Sequence, residues 1–407
     1  MNKKILYISY DGMTDPLGEG QVINYLIGLS KLGYSFDILS FEKPDKFASQ
    51  QARIGQILKT NNINWHPQVF HTTPPIISKI YDKYLIKQKA KTLYKQHKYH
   101  FIHCRSYMAA EVGLMLKKEY NVPFLFDMRG FWADEKADGG AWNRKNFFWN
   151  TVYNFYKKKE RNFITETFHI ISLTYAGKKE IESWPFYNNK IGISVIPCCV
   201  DTHKFELISD EKKMFAKHKN QIPQNAFVIS YLGSLGAWYM VNEMLGLFSK
   251  ILATKPNAVF FIITNSNHSI ILNNLEKYSI STNNVKLITV PFNEVPINMY
   301  ASDYSLSFIK PVYSKISSSP VKIGEILSMG IPIIANAVGD IQMLLTENNV
   351  GFLIPKFEPN NFDSAVNFIN NVQPPQASDI RQVALNNYSL QKGITLYASV
   401  YDSITQG

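Results

Sequence analysis

Lys322 and Glu325 stand three residues apart in "SSSPVKIGEILSMGIPIIAN" (317–336), a stretch otherwise built of small and apolar residues. Ser318 or Ser319 suits the N-cap of a helix, Pro320 its first position, and Gly330 the left-handed C′ position before a β-branched strand pattern. A lysine in the first helical turn opposes the helix dipole at a cost of roughly 0.3–1 kcal/mol unless an anion lies beside it. The i,i+3 spacing puts Glu325 on the same face, where a carboxylate can accept hydrogen bonds from a ribose diol. Lys310 closes the preceding strand pattern and Lys315 lies in the loop between, so the segment gathers cations that suit a diphosphate. Together these residues point to a nucleotide. An exposed Lys–Glu ion pair is the alternative the spacing leaves open.

Three further groups have chemistry-bearing positions. In "YLGSLGAWYM" (231–240), Gly233 and Gly236 flank Ser234 between a strand and a helix, a second place for phosphate contact. His103, Arg105, Asp127 and Arg129 fall at the ends of two consecutive strand patterns, and side chains at strand ends of one sheet converge on one crevice. The two arginines suit a phosphate or a departing anion, and Asp127 a sugar hydroxyl or an arginine; a structural Asp–Arg pair is the alternative. Gly18 and Gly20 follow the first strand at the mouth of a helix expected to begin near Gln21, where an anion or a sugar can approach the backbone. An ordinary glycine turn explains them equally simply. Neither a GxGxxG with its acidic partner nor a Walker sequence occurs, which disfavours a dinucleotide or P-loop site. No DxD is present, so no metal is expected to hold the ligand. Cys104, Cys198 and Cys199 are too few for a disulfide framework and read as buried small hydrophobes.

The elements that must position these residues follow a βα rhythm. At 407 residues the chain exceeds one ordinary core, so two domains are expected. Strand patterns fall near 4–9, 36–41, 100–104, 122–127, 168–172 and 191–196. A second series falls near 226–234, 257–264, 284–290, 303–309, 332–336 and 350–354. Longer amphipathic stretches alternate with them, which is the signature of parallel sheets covered by helices. The fold class is α/β, with two similar domains over 1–199 and 200–387. The last segment, 388–407, is a helix pattern that either finishes the second domain or packs back on the first.

Charge is unevenly spread. Residues 1–200 hold 28 Lys+Arg against 17 Asp+Glu, whereas residues 201–407 hold 15 of each. A basic surface in one half suits an anionic partner such as a membrane face. Lys79, Lys83, Lys87, Lys91 and Lys95 recur every fourth residue, and "NRKNFFWNTVYNFYKKKERNF" (143–163) mixes aromatics with Lys157–Lys159. Basic amphipathic helices of this kind can lie on anionic lipid, with Lys83, Lys87 and Lys91 as the contact; a solvated face is the alternative. No nucleic-acid recognition motif accompanies the charge, so no nucleic acid is expected. No apolar run approaches the ~20 residues of a membrane span. The N-terminus enters a strand pattern without a signal peptide, which places the protein in the cytoplasm, with contact at the inner membrane face as the further expectation.

The ordered set "YDGMTDPLGEGQVINYLIGLSKLGY", "FDMRGFWADEKADGG", "VIPCCVDTHKF", "YLGSLGAWY" and "SSSPVKIGEILSMGIPIIAN" resembles the family-4 glycosyltransferases of GT-B fold. The resemblance implies two Rossmann-like domains whose parallel sheets face a central cleft. It further implies retaining, metal-independent transfer of a sugar from a nucleotide donor, with no cofactor. The C-terminal domain would hold the donor and the N-terminal domain a glycan or lipid-linked acceptor, and the final helix would cross back. By position, Glu325 matches the second glutamate of the family's Glu-x7-Glu motif, which binds the donor ribose. Ser317 stands where the first would contact the sugar. The cation that usually follows the glycine loop is missing, and Lys322, helped by Lys310 or Lys315, takes its place. Arg129 occupies the position where relatives commonly show a histidine. Catalysis is then expected to rest on Arg129, Asp127 and Lys322, without an enzymatic nucleophile. A nucleotide-sugar epimerase and an inactive nucleotide-sugar-binding module are the competing classes.

Overall fold

The computed structural model describes residues 3–406, and the chain divides into two compact units, Met1–Cys199 with Leu390–Gly407, and Val200–Ser389. The first unit is built on a seven-stranded parallel sheet of β1 (Lys3–Ser9), β2 (Tyr34–Glu42), β3 (Asn64–Val69), β4 (Phe101–Arg105), β5 (Phe124–Asp127), β6 (His169–Ser172) and β7 (Gly192–Val195). Their order across the sheet is β3-β2-β1-β4-β5-β6-β7. The second carries a six-stranded parallel sheet of β8 (Val228–Leu232), β9 (Val259–Ile263), β10 (Val285–Ile288), β11 (Tyr304–Ser307), β12 (Ile333–Asn336) and β13 (Gly351–Ile354), in the order β10-β9-β8-β11-β12-β13. Both sheets reverse direction of growth beside their first strand, at β1/β4 and at β8/β11. In open α/β sheets that reversal opens a crevice at the carboxyl ends of the strands, where ligands bind.

Continuous apolar runs explain the central strands. Val228–Leu232 and Val259–Ile263 are buried along their whole length, as strands covered on both faces must be. β3 departs from that pattern, and the sequence gives it no strand signal. It carries Pro67 and several polar residues and pairs only with β2, an edge position where a missing N–H costs no ladder bond.

The helices that matter for the sites are α1 (Pro75–His97), α2 (Ser106–Tyr120), α3 (Phe147–Glu166), α4 (Val321–Ser328), α5 (Ala377–Tyr388) and α6 (Leu390–Gln406). In α6, Ile394, Tyr397, Val400, Tyr401 and Ile404 share one face and join the core of the first unit with Ile5, Ile38 and Phe101. Each such side chain is worth about 1.5–3 kcal/mol when fully buried. A Cβ on Gly28 would fall 2.1 Å from Ile394 Cδ1, so only glycine admits α6 this closely. In the second unit, Arg381 of α5 ties the segment after Val200 to α4. Its Nη2 donates to the Thr202 carbonyl at 3.0 Å and its Nη1 to that of Phe205 at 2.5 Å, and Nη1 also donates to the Ser328 carbonyl. None of the described helices is long and apolar enough to cross a membrane.

Candidate functional site

α4 begins one residue later than its serines suggest. Pro320 is the N-cap in extended conformation, so Lys322 occupies the second helical position, and Gly330 has the left-handed φ of +78° expected past the C-terminus. Lys322 and Glu325 are both buried, 8% and 6% exposed, which rules out the exposed ion pair. Neither makes a salt bridge among the described residues, and Lys322 Nζ has no hydrogen-bond partner. The ammonium instead lies 4.3 Å from the centroid of the Tyr231 ring and 4.6 Å from that of Tyr239. Cation–π contact offsets only part of the loss of water. Burial pulls the Lys322 pKa from 10.5 down to about 7, with Glu325 opposing the fall, and pushes that of Glu325 up to about 7 against the pull of Lys322.

The loop after β8 completes this site. Gly233 has φ +130°, and a Cβ there would sit 3.6 Å from Tyr231 Oη and 3.7 Å from Lys322 Nζ. The exposed Ser234 follows, its carbonyl accepting the Tyr231 hydroxyl at 2.6 Å. Leu235 N donates to Ser266 Oγ at 2.9 Å beyond β9, and Ile309 N donates to Asn336 Oδ1 at 2.9 Å. Carboxyl ends of β8, β9, β11 and β12 are thereby laced together. The structure thus brings Gly233, Lys322 and Glu325 to one crevice of the second unit. Lys310 is exposed beyond the Ile309–Tyr239 bridge, whereas the buried Lys315 rests on Trp238, 3.9 Å from its ring centroid. Ser317 is buried, its hydroxyl turned onto the Ser314 carbonyl at 3.1 Å. Tyr231 and Tyr239 lie inside a quoted sequence segment, but nothing in their local pattern marks them as the walls of a cation box.

The first unit gathers its expected residues around Asp127. Register pairs Ser9 with Arg105 and Arg105 with Asp127, so the ends of β1, β4 and β5 lie side by side. Asp127 is fully buried. Its Oδ2 accepts from the Tyr397 hydroxyl at 3.1 Å and lies 3.4 Å from His103 Nε2, while Arg105 and Arg129 stand 3.9 and 3.8 Å from its two oxygens. Burial opposes ionisation, yet Arg129, His103 and Arg105 together hold the carboxyl down at about 2. His103 is buried, and its Nδ1 is 2.6 Å from the Tyr401 hydroxyl. Burial lowers its pKa, with Asp127 opposing. Asp127 is buried with no surface for a sugar hydroxyl and stands between the two arginines, and His103 is buried against α6. Tyr397 and Tyr401, which the sequence shows only as apolar helix positions, hold both.

Gly18 and Gly20 do not form a loop mouth. Helical backbone starts at Pro16, passes through a π-turn at Glu19–Ile23 and continues over Asn24–Ser30. Gly18 is needed because a Cβ would meet the Gly12 carbonyl at 2.2 Å; Gly20 has open space around it. The preceding loop is fixed by Glu42, unmarked in the sequence, which accepts from Met13 N at 2.8 Å and Thr14 Oγ1 at 2.6 Å.

The lysine ladder of α1 is also corrected. Lys83 and Lys87 reach Glu111 of α2 at 3.2 and 2.8 Å, Lys91 reaches Glu119 at 2.5 Å, and Lys159 of α3 closes on Glu111 at 2.7 Å. These cations are paired within the unit, three of them on the single carboxylate of Glu111. Over its first half α1 leaves Ile77, Ile80, Tyr81 and Tyr84 exposed, joined on α3 by Phe147, Phe148 and Phe155, while its second half exposes Gln88, Thr92, Lys95 and Gln96. Cys104, Cys198 and Cys199 are buried free thiols.

Residues 19–204 match the family described as Glycosyltransferase Family 4. No curated protein sequence matches the chain. Among solved structures, sucrose-phosphate synthase from Thermosynechococcus elongatus is similar over 99% of both chains at 13% identity, with a TM-score of 0.73. Anabaena HepE in complex with UDP and glucose covers 98% of this chain and 100% of its own at 14% identity and a TM-score of 0.71. The lipopolysaccharide outer core galactosyltransferase WaaB, in apo form, covers 98% of this chain and 99% of its own at 13% identity and a TM-score of 0.67. At such identities the likeness speaks for the fold, and that fold is GT-B. The first unit is thus similar in sequence to the family-4 glycosyltransferases, and both units carry the GT-B fold.

Proposed function

We propose that the protein transfers a sugar from a nucleotide-sugar donor to a lipid-linked or polysaccharide acceptor, with retention at the anomeric carbon and without a metal, in cell-surface glycan synthesis. The observation that carries this reading is the buried, unpartnered Lys322 ammonium beside Gly233 and Glu325. Such a cation lacks an anion, and a diphosphate supplies one. Anabaena HepE has been solved with UDP-glucose, which supports a nucleotide sugar as the donor.

In this scheme the second unit holds the nucleotide: Lys322 on the diphosphate, Gly233 giving the phosphate close approach to backbone, and Glu325 accepting from the ribose hydroxyls. The bond from the sugar's anomeric carbon to the diphosphate oxygen breaks, and the bond to an acceptor hydroxyl oxygen forms on the same face. The acceptor proton passes to the departing diphosphate, so no protein nucleophile is consumed. Stabilising the leaving charge is the protein's largest contribution. Ser317 replaces the family's sugar-binding glutamate and is turned onto Ser314, so the donor sugar is recognised by other groups. Arg129 stands where relatives show a histidine, on the acceptor side.

Incubation with UDP-, GDP- and ADP-sugars in the presence of a chelator, followed for nucleotide release with and without a glycan acceptor mixture, tests the reading. Acceptor-stimulated release that Glu325→Ala abolishes is the expected result. Nucleotide binding without turnover of any sugar would favour a binding module, and sugar isomerisation without release would favour an epimerase.

A further inference from the structure

Arg105 ends β4 at the β1/β4 reversal of the first sheet, the crevice where that topology places a ligand. Its side chain is 6% exposed and its guanidinium lies beside the buried Tyr7 hydroxyl, yet Nε and Nη1 make no hydrogen bond of ordinary geometry. The nearest carboxylate oxygens, of Asp11 and Asp127, are both 3.9 Å away, beyond hydrogen-bond reach. A guanidinium does not escape by losing its proton, so a buried one with idle donors is costly unless something fills them.

A second guanidinium shares the same carboxylate. Arg129 stands 3.8 Å from the other oxygen of Asp127 and donates from Nη2 to Cys198 Sγ at 3.2 Å, a weak acceptor. Its backbone has φ +56°, followed by Gly130 at φ +118°. A left-handed non-glycine residue is strained, and such strain persists where the side chain's placement matters. Asp11, the third charged group, is largely exposed, with 60% of its side chain open to solvent, so it screens Arg105 poorly. Two arginines thus divide one buried aspartate, which itself is already held by Tyr397 and His103.

We infer that Arg105 and Arg129 form an anion site in the first unit, and that the acceptor substrate carries a phosphate group which this site binds. The planar fork of Arg105 matches phosphate oxygens through Nε and Nη1. The inference rests on the transferase reading only for the word acceptor; the anion site stands on the geometry alone. The same chemistry could come from the donor's diphosphate, and the experiment separates the two.

The full chain is titrated calorimetrically with inorganic phosphate, alone and with UDP at saturation, as wild type, Arg105→Gln and Arg105→Lys. Wild type is expected to take up phosphate equally in both conditions. Arg105→Gln should weaken phosphate at least about tenfold, the weight of one charge-assisted hydrogen bond, and Arg105→Lys by less, with UDP affinity held within about twofold in both. Phosphate displaced by UDP would overturn the inference by assigning the arginines to the donor. Absent phosphate binding in wild type, or equal binding by Arg105→Gln, would overturn it as well. A lower melting temperature in both variants at unchanged phosphate affinity would mark Arg105 as a structural partner of Asp127 and likewise refute it. Failure of wild type to bind UDP would sink the transferase reading while leaving the phosphate result readable by itself.

Discussion

Replacing Lys322 by methionine keeps most of the length of the side chain and removes an ammonium that the fold leaves without a hydrogen-bond partner. Burial pulls the ammonium from 10.5 to about 7, with Glu325 opposing the fall. At 1.36 kcal/mol per pH unit, that displacement corresponds to a penalty on the charged form of about 5 kcal/mol. Between about pH 7 and pH 10 the unfolded chain holds the proton that the folded chain has lost, so stability rises with pH across that window. The contribution is complete above the unfolded value and lost as pH falls through about 7. Glu325 acts in the opposite sense. Its pKa is pushed by burial from 4.5 up to about 7, against the pull of Lys322, so its contribution is complete below the unfolded value and lost as pH rises through about 7. The unliganded protein therefore has a local stability minimum near neutral pH from this pair.

A diphosphate needs the ammonium charged, so above about pH 7 UDP binding must take up a proton and affinity falls by up to tenfold per pH unit. Lys322→Met is expected to weaken UDP about 10- to 150-fold at neutral pH, the range of a charge-assisted contact of ~1.5–3 kcal/mol. It should also flatten the pH dependence above pH 7 and leave the melting temperature at pH 7 unchanged or higher. Calorimetric UDP titrations and thermal melts from pH 6 to pH 9 read all three. Unchanged UDP affinity, a surviving alkaline slope, or a destabilised variant would each refute the argument that Lys322 is an unfilled anion site.

The remaining predictions concern the walls of that site and the outer face of the first unit. Gly233→Ala should cost about 1–2 kcal/mol of stability, from forcing a Cβ into φ +130°, and should weaken UDP by placing that carbon beside Lys322 Nζ. A UDP titration unchanged in the variant would remove Gly233 from the phosphate contact. On α1, Ile80→Ser with Tyr84→Ser should reduce co-sedimentation with vesicles containing phosphatidylserine, because the exposed groups there are apolar. Lys87→Glu should instead lower the melting temperature, since it sets a carboxylate against Glu111; loss of vesicle binding by that variant at unchanged stability would restore the basic face as the membrane contact.

Central strands are legible in the sequence because burial on both faces demands unbroken apolar runs, and β8 and β9 show them plainly. β3 is not, because an edge strand with Pro67 needs neither the apolar run nor every N–H. The spacing of Lys322 and Glu325 is likewise legible, and their burial is not. Rings that arrive from the far side of the sheet, Tyr231 and Tyr239, decide it. The α1 ladder shows the same blindness with the opposite outcome. Five lysines in register look like the dominant electrostatic feature of the chain, yet Lys83 and Lys87 meet Glu111 and Lys91 meets Glu119, both acceptors supplied by a separate helix. What a cation does is set by what opposes it. Lys87 has a carboxylate oxygen at 2.8 Å and its charge is spent on the fold. Lys322 has two ring faces and the attraction of Glu325 without an ion pair, and Arg105 has the Tyr7 hydroxyl and two carboxylates beyond hydrogen-bond reach. Local pattern cannot separate these cases, since the deciding partner comes in each from a remote part of the chain. Unspent charge held in a crevice by packing, rather than the density of charge along the sequence, is therefore the feature that locates both sites.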